Sequence, residues 1–470
     1  MFAEIKLSPI FKMRKAESLH SRYNPKAEAE RYINSLALNG DTAFFILIEP
    51  GMGYMVEILR NRFPKSKIIA LNVEAPGTIP EENKPDFFWH PGTGQNLESF
   101  FELHIPDIEA SAVKIIEWRP SLALYGEAYH FLLLQTVEFI KQADASARTL
   151  KQFGKKWFRN FFRNLPLITE AIPPLPFSFP VLITGSGPSL EDTIPVIRNN
   201  RQSFILAAVS SSITALRQAG IEPDLVISTD GGNWALLHLY ECFRNTKNTC
   251  LAFSLNAVLP SQCKNARLLI MSDGSLWQEL VLRDLNIPFI AMPQRGTVSA
   301  AALDLALALT DDVIYFTGLD LAHKGIQTHA KPYSFDILWE EKALRFNPYY
   351  SQIFKRSELM QAGGSHSVYA SWFSRQIEAY PKRLKSLGSN NAVFGSLKSA
   401  LEIGIAAEKK KPLLKTVSCR FGTHPAKKAA HILKTALNNP LYGSRLKEEL
   451  SPLLYPEGIE ALDEMVKVYE

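Results

Sequence analysis

Cysteine is scarce: Cys242, Cys250, Cys263 and Cys419 are the only four, and their spacing matches neither a metal site nor a disulfide framework. That pattern suits a reducing compartment. An apolar signal core is missing from MFAEIKLSPIFKMRKAE, and no later run reaches membrane-spanning length, so the expectation is a soluble cytoplasmic protein with no transmembrane segment. Charge of one sign is also missing. A net charge of +5 spread over 470 residues implies no nucleic-acid partner. What is abundant is apolar content, at 46%, enough for two to three cored domains.

The chain turns on VLITGSGPSL at 181–190, a β-forming run that breaks into Gly185, Ser186, Gly187, Pro188 and Ser189 ahead of Glu191 and Asp192. Strand, tight turn and helix start follow from that order. Such a turn either aims backbone N–H groups at a phosphate, with the helix dipole behind them, or is only a turn. Leu190 stands where a dinucleotide fingerprint has its third glycine, and no lysine follows to make a Walker loop.

Upstream, Asn24 and Pro25 are placed as cap and first residue of a helix. TAFFILIEPGMGYMVEILRNRFPKSKIIALNVE then reads as strand, glycine turn, helix and strand. Gly51 and Gly53 with Glu74 fit either a dinucleotide or S-adenosylmethionine site or a Rossmann-like unit kept for packing. His90, His104 and His130 are scattered and read as structural or exposed. Residues 148–164 interleave Lys155, Lys156, Arg159 and Arg163 with Trp157, Phe158, Phe161 and Phe162, suiting either an anionic surface or aromatics docked between domains. AIPPLPFSFP marks a boundary. The expected divisions are a Rossmann-like domain over 1–150, a linker over 151–178, a central domain over 179–405 and a helical domain over 406–470.

From 179 onward strands and helices alternate, which argues an α/β fold with a mainly parallel sheet and its ligand site beyond the strands' carboxyl ends. Those ends carry small or polar residues: Gly185 to Ser189, Ser210 to Ser212, Asp230 to Asn233, Ser254 to Asn256, Ser272 to Gly274 and Gln294 to Thr297. Thr297 is positioned to cap an alanine-rich helix, with Ser299 to Ala302 allowing close approach. Asp320, just past a strand, either bonds sugar hydroxyls or serves its own turn, and His323 and His329 lie on the loop that follows. The segment 357–373 reads as a glycine hinge and helix, a candidate lid.

GSGPSLED, AAVSSSITALRQAGIEPDLVISTDGG and RGTVSAAALDLALALTDDVIYFTGLDLAHKGIQTHA together resemble the motility accessory factor family of bacterial flagellin glycosyltransferases. That family shares its central domain with archaeal 6-hydroxymethylpterin diphosphokinases. SLHSRYNPKAEAERYI, the glycine-turn unit and LGSNNAVFGSLKSALE extend the resemblance over most of 17–405. It implies a sialyltransferase-like central domain that uses a CMP-activated nonulosonic acid, of pseudaminic or legionaminic type, and a flagellin Ser or Thr as acceptor.

The same resemblance implies inverting transfer with CMP as leaving group. His329 would be the general base, with Asp320 beside it in catalysis. Nucleotide and phosphate contacts would fall to Gly185, Ser186, Gly187, Pro188, Ser189, Ser210, Ser211, Asp230, Asn256, Gly296, Thr297 and Gly318, and Arg295 would face the sugar carboxylate. The central domain has no Asp-x-Asp pair, so no divalent metal or other cofactor is expected. The sequence departs from the family's usual run at Leu319, Asn390 and Asn391, leaving the sugar's identity open. The basic C-terminal region either presents a solvated face or recognises flagellin or a second copy of the chain. An ATP-dependent diphosphokinase and a non-catalytic flagellin-binding protein are the alternatives.

Overall fold

The computed structural model describes residues 19–76, 79–105, 112–244, 250–322, 324–362, 365–387, 411–419, 424–454 and 462. The chain divides into two compact units, Met1–Gln152 and Phe153–Glu470.

In the first unit α1 (Pro25–Ser35) begins as its sequence predicts, with Asn24 Oδ1 accepting from Ala27 N at 3.0 Å. Next come β1 (Phe44–Ile48), α2 (Tyr54–Arg62), β2 (Lys67–Leu71), β3 (Phe87–Trp89), α3 (Leu97–His104) and β4 (Val113–Glu117). The strands form a parallel sheet in the order β3-β2-β1-β4. Alternation fills both faces. Phe45 and Leu47 meet Ala29, Ile33, Met55 and Leu59, while Phe44, Ile46 and Ile48 meet Phe100, Phe101, Tyr129 and Leu132. Helix α4 (Arg119–Asn164) follows, broken at Gly126 (φ 47°, ψ −115°).

The glycine turn after β1 is filled by its own chain. Met52 N donates to His20 Nε2 at 3.1 Å, Asn83 Nδ2 donates to Met52 O at 2.9 Å, and a Cβ on Gly53 would overlap Asn83 O. Glu74 is exposed, and the buried carboxylate at this rim is Glu49, which accepts from Val73 N and from Asn72 Nδ2 at 3.3 Å.

The second unit opens with the end of α4 and contains β5 (Glu170–Ala171), β6 (Val181–Thr184), α5 (Ser189–Asn199), β7 (Ile205–Val209), α6 (Ile213–Gln218), β8 (Leu225–Ser228), α7 (Leu236–Arg244), β9 (Cys250–Ser254), β10 (Arg267–Ser272), α8 (Leu276–Asp284), β11 (Phe289–Ala291), α9 (Val298–Leu309), β12 (Ile314–Thr317), α10 (Asp336–Glu341), α11 (Tyr349–Ala362), α12 (Ser365–Ala379), β13 (Leu384–Ser386), β14 (Val417–Ser418), α13 (Pro425–Leu437) and α14 (Gly443–Leu450). Its sheet runs β13-β12-β6-β7-β8-β9-β10-β5-β14, with β11 also beside β10. Every pair is parallel except β14 on β5. Val181, Ile183, Ile205 and Ala207 pack toward Ala302, Leu305 and Ala306 of α9, while Leu182, Leu206 and Ala208 pack toward Leu190, Ile197 and Leu216. The fold is α/β, as expected, and the order of strands leaves a topological switch point between β6 and β12.

Two expected divisions are drawn differently. The 151–178 segment is no free linker, because Phe158 and Phe161 are buried against Trp277, with ring centroids 5.1 and 4.7 Å away, and β5 is part of the sheet. The C-terminal helices belong to the same unit. Glu449 accepts from Trp277 N at 3.2 Å at the start of α8, and Lys411 pairs with Asp224 at 2.8 Å. Among the described residues no helix is long and apolar enough to cross a membrane.

Candidate functional site

At the switch point the ends of β6 and β12 meet backbone to backbone. Gly185 N donates to Thr317 O at 2.8 Å and Gly187 N to Gly318 O at 2.7 Å. A Cβ on Gly185 would overlap Gly318 O, and one on Gly187 would overlap the Asp320 carboxylate, so these positions require glycine. Asp320 accepts from Ser189 N at 2.8 Å and from the Ser189 hydroxyl, which places a carboxylate on the N-terminus of α5.

This corrects the expected amide cradle. The N–H groups of Gly185, Gly187 and Ser189 are used within the protein, and Pro188 has none to give. The hydroxyls beside them remain on the rim. Ser211 Oγ donates to Ser186 Oγ at 2.9 Å, supported by buried Ser212, whose Oγ lies 3.1 Å from Thr184 Oγ1. Ser210 is itself buried.

His329 is brought to the same place. Ala330 N donates to Ser186 O at 2.8 Å, and Glu191 Oε1 accepts from both Gln327 Nε2 and Lys331 N at 2.6 Å. His329 Nδ1 is 2.9 Å from Thr328 Oγ1, and its ring stacks on Tyr333 at 4.1 Å and 17°. Beyond Tyr333 the rings continue: Phe335 at 5.5 Å, Trp339 at 5.9 Å and His238 at 5.4 Å. Trp234, 63% exposed, ends the array 6.2 Å from Phe335. Burial pushes His238 down to about 4, with the nearby Arg356 charge adding to it, and pushes the Tyr333 phenol up to about 12.

Sequence reasoning missed Tyr333, Phe335, Trp339, His238 and Arg356. Rings drawn from two distant stretches carry no spacing signature.

Farther along the rim, Asn256 is buried and its amide is spent internally. Its Nδ2 donates to Asp273 Oδ2 at 3.0 Å, and its Oδ1 accepts from Gln278 Nε2 at 3.0 Å. Gln278 and Gln294 also donate to Asp273, at 2.7 and 3.3 Å, while burial raises that carboxyl. Asp230 Oδ1 closes its own turn by accepting from Gly232 N at 2.7 Å. Three strand spacings separate β6 from β9, about 14 Å, so Asn256 does not meet His329 directly.

Arg295 donates to Asp304 Oδ2 at 2.7 Å and lies over Trp372 at 5.3 Å, so its charge is already paired where a sugar carboxylate was expected. Thr297 occupies the N-cap position of α9 without a side-chain cap bond, a second correction, and Gly296 O accepts from Tyr369 OH at 3.0 Å. Gly318 has φ +66° and Leu319 is buried. His323, the glycines of the expected lid, Asn390 and Asn391 lie outside the described residues. Among the described residues no three His, Cys, Asp or Glu side chains are grouped as metal ligands.

Residues 157–325 match the family model described as 6-hydroxymethylpterin diphosphokinase MptE-like. An uncharacterised protein of Treponema pallidum (strain Nichols) is 28% identical over 309 residues, covering 64% of this chain and 65% of that one. A second from the same organism is 29% identical over 149 residues, covering 30% of this chain and 70% of its own length. The chain thus spans about 65% of the first relative. Among solved structures, the MAf glycosyltransferase of Magnetospirillum magneticum AMB-1 superposes with a TM-score of 0.50 at 13% identity, over 91% of this chain and 74% of that one. At that identity the likeness is one of fold.

Proposed function

We propose that this chain, whose residues 157–325 match the MptE-like family model, is a protein O-glycosyltransferase that moves a nonulosonic acid from its CMP-activated form to a Ser or Thr hydroxyl of flagellin. The observation that carries the reading is the seat of His329, fixed over the β6 loop by the Ala330 to Ser186 bond at 2.8 Å. The contact of His329 Nδ1 with Thr328 Oγ1 at 2.9 Å orients the ring, and the reading assigns it the tautomer in which Nδ1–H donates to Thr328 and Nε2 is the base. The acceptor hydroxyl attacks the anomeric carbon, its proton passes to His329, and the bond to CMP breaks with the electron pair leaving on the phosphate. Configuration at that carbon inverts.

The paired hydroxyls of Ser186 and Ser211, 2.9 Å apart, receive the donor's phosphate. Gly185, Gly187 and Gly318 let the two loops close beneath it, and Asp320, through Ser189, acts as a positioning residue. Asp230, exposed just past β8, is assigned to the donor's ribose. No metal is assigned to this chemistry, because CMP is a single phosphate that hydroxyl donors and a cation can serve.

The MptE-like match itself favours a second reading, a pterin diphosphokinase. It needs carboxylates grouped near Gly185 to Ser189 for magnesium. Of the carboxylates that the sequence offers for this role, Asp192, Asp224 and Asp230, Asp224 sits before β8 at the opposite end of the sheet, held by Arg201 at 2.9 Å and Lys411 at 2.8 Å. That placement weighs toward glycosyl transfer. The deciding experiment is flagellin mass after incubation with the CMP-activated sugar, set against phosphate transfer from ATP to a hydroxymethylpterin.

A further inference from the structure

Beside the aromatic array lies an arginine that, among the described residues, has no carboxylate paired with it. Arg356, on α11, places its guanidinium carbon 5.1 Å from the centre of the Trp339 ring. Its Nε is buried with no acceptor, and among the described residues it has no ion pair. Lys331 also lies over Trp339, at 5.7 Å, but is paired with Asp336 and with Tyr349 OH at 2.8 Å. Arg295 is likewise consumed by Asp304. A buried guanidinium N–H without an acceptor is costly, and the planar fork matches a carboxylate or phosphate.

We infer that Arg356 is the anchor for an oxyanion of the bound substrate, beside the rings of Trp339, Tyr333 and His238. Two rings link it to the proposed base: His329 stacks on Tyr333 at 4.1 Å, and Tyr333 stands 5.9 Å from Trp339. The Arg356 charge also acts on the His238 imidazole and the Tyr333 phenol. The inference rests on the glycosyl-transfer reading for the ligand's identity. The oxyanion is then either the sugar acid's carboxylate or the nucleotide's phosphate, and the test separates them.

Wild type, Arg356→Lys and Arg356→Gln of the full chain are compared for melting temperature without ligand. Affinity for CMP, cytidine, N-acetylneuraminic acid and inorganic phosphate is then measured by calorimetry. Without ligand, Arg356→Gln melts no lower than wild type, because an uncompensated cation has been removed. It binds the anchored oxyanion about tenfold to a hundredfold more weakly, and Arg356→Lys recovers part of the loss. Loss confined to CMP and phosphate assigns the phosphate, and loss confined to N-acetylneuraminic acid assigns the carboxylate.

If wild type and Arg356→Gln bind CMP alike, and N-acetylneuraminic acid and phosphate alike, the anchor is overturned while the CMP reading stands. If wild type binds N-acetylneuraminic acid or phosphate through Arg356 but does not bind CMP, the anchor stands and the CMP reading falls. Binding of none of the four by wild type overturns both. A ligand-free melting temperature that drops sharply in both variants makes Arg356 a structural strut and overturns the anchor.

Discussion

Asp320 caps the helix that Ser189 opens: its carboxylate accepts the Ser189 amide at 2.8 Å and the Ser189 hydroxyl as well. This pair ties the end of β12 to the loop after β6 and sets where Ser186 stands. Asp320→Ala should lower stability by about 1 kcal/mol, the usual worth of a helix cap. Thermal unfolding of the full chain measures it, and an unchanged melting temperature would remove Asp320 from this role.

Gly185→Ala tests the backbone contact beneath the site. The new methyl would overlap Gly318 O, which is backbone and cannot turn aside. A loss of about 1–3 kcal/mol is expected from overpacking. Gly40→Ala, where a Cβ meets nothing within 4 Å, is the control and should show no comparable loss.

Glu49 makes the first unit sensitive to pH. Burial pushes its carboxyl up to about 7, against Val73 N and Asn72, which pull the other way. The folded state therefore holds a proton that the unfolded state releases from about pH 4.5. Stability from this group is full below that point and is lost as pH rises through about 7, in total about 3 kcal/mol. Urea unfolding of wild type and Glu49→Gln across pH 4.5–8 should show the variant losing this slope. Equal slopes would contradict it.

The aromatic end of α4 anchors the second unit. Phe161 is fully buried against Trp277, so Phe161→Ala should cost about 3–5 kcal/mol. Denaturant unfolding checks this, and a loss under about 1 kcal/mol would mean the site collapses around the smaller side chain.

Local patterns were legible in the sequence, while partners across the fold were not. The Asn24 cap, the strand-turn-helix at Gly185 and the polar ends of parallel strands follow from neighbours in the chain. The direction of the Gly185 and Gly187 amides was hidden, because it depends on β12 arriving 131 residues later to let Asp320 reach Ser189. Arg295 read as an open cation, whereas Asp304, nine residues later on α9, holds it. Pro173 and Pro174 read as a linker, yet β5 lies just before them in the sheet. A carboxylate at the first rim was expected at Glu74. The buried one is Glu49, which no spacing rule distinguishes from an exposed glutamate.

The central claim is that His329 takes the proton of a flagellin hydroxyl as the sugar leaves CMP. Intact mass of flagellin, followed after incubation with CMP-pseudaminic or CMP-legionaminic acid and either wild type or His329→Ala, tests it most directly. The account predicts mass gains in whole sugar increments with wild type. His329→Ala should transfer about 10²- to 10⁴-fold more slowly while binding CMP as before. Equal rates in the two proteins, or no gain with either, would contradict it.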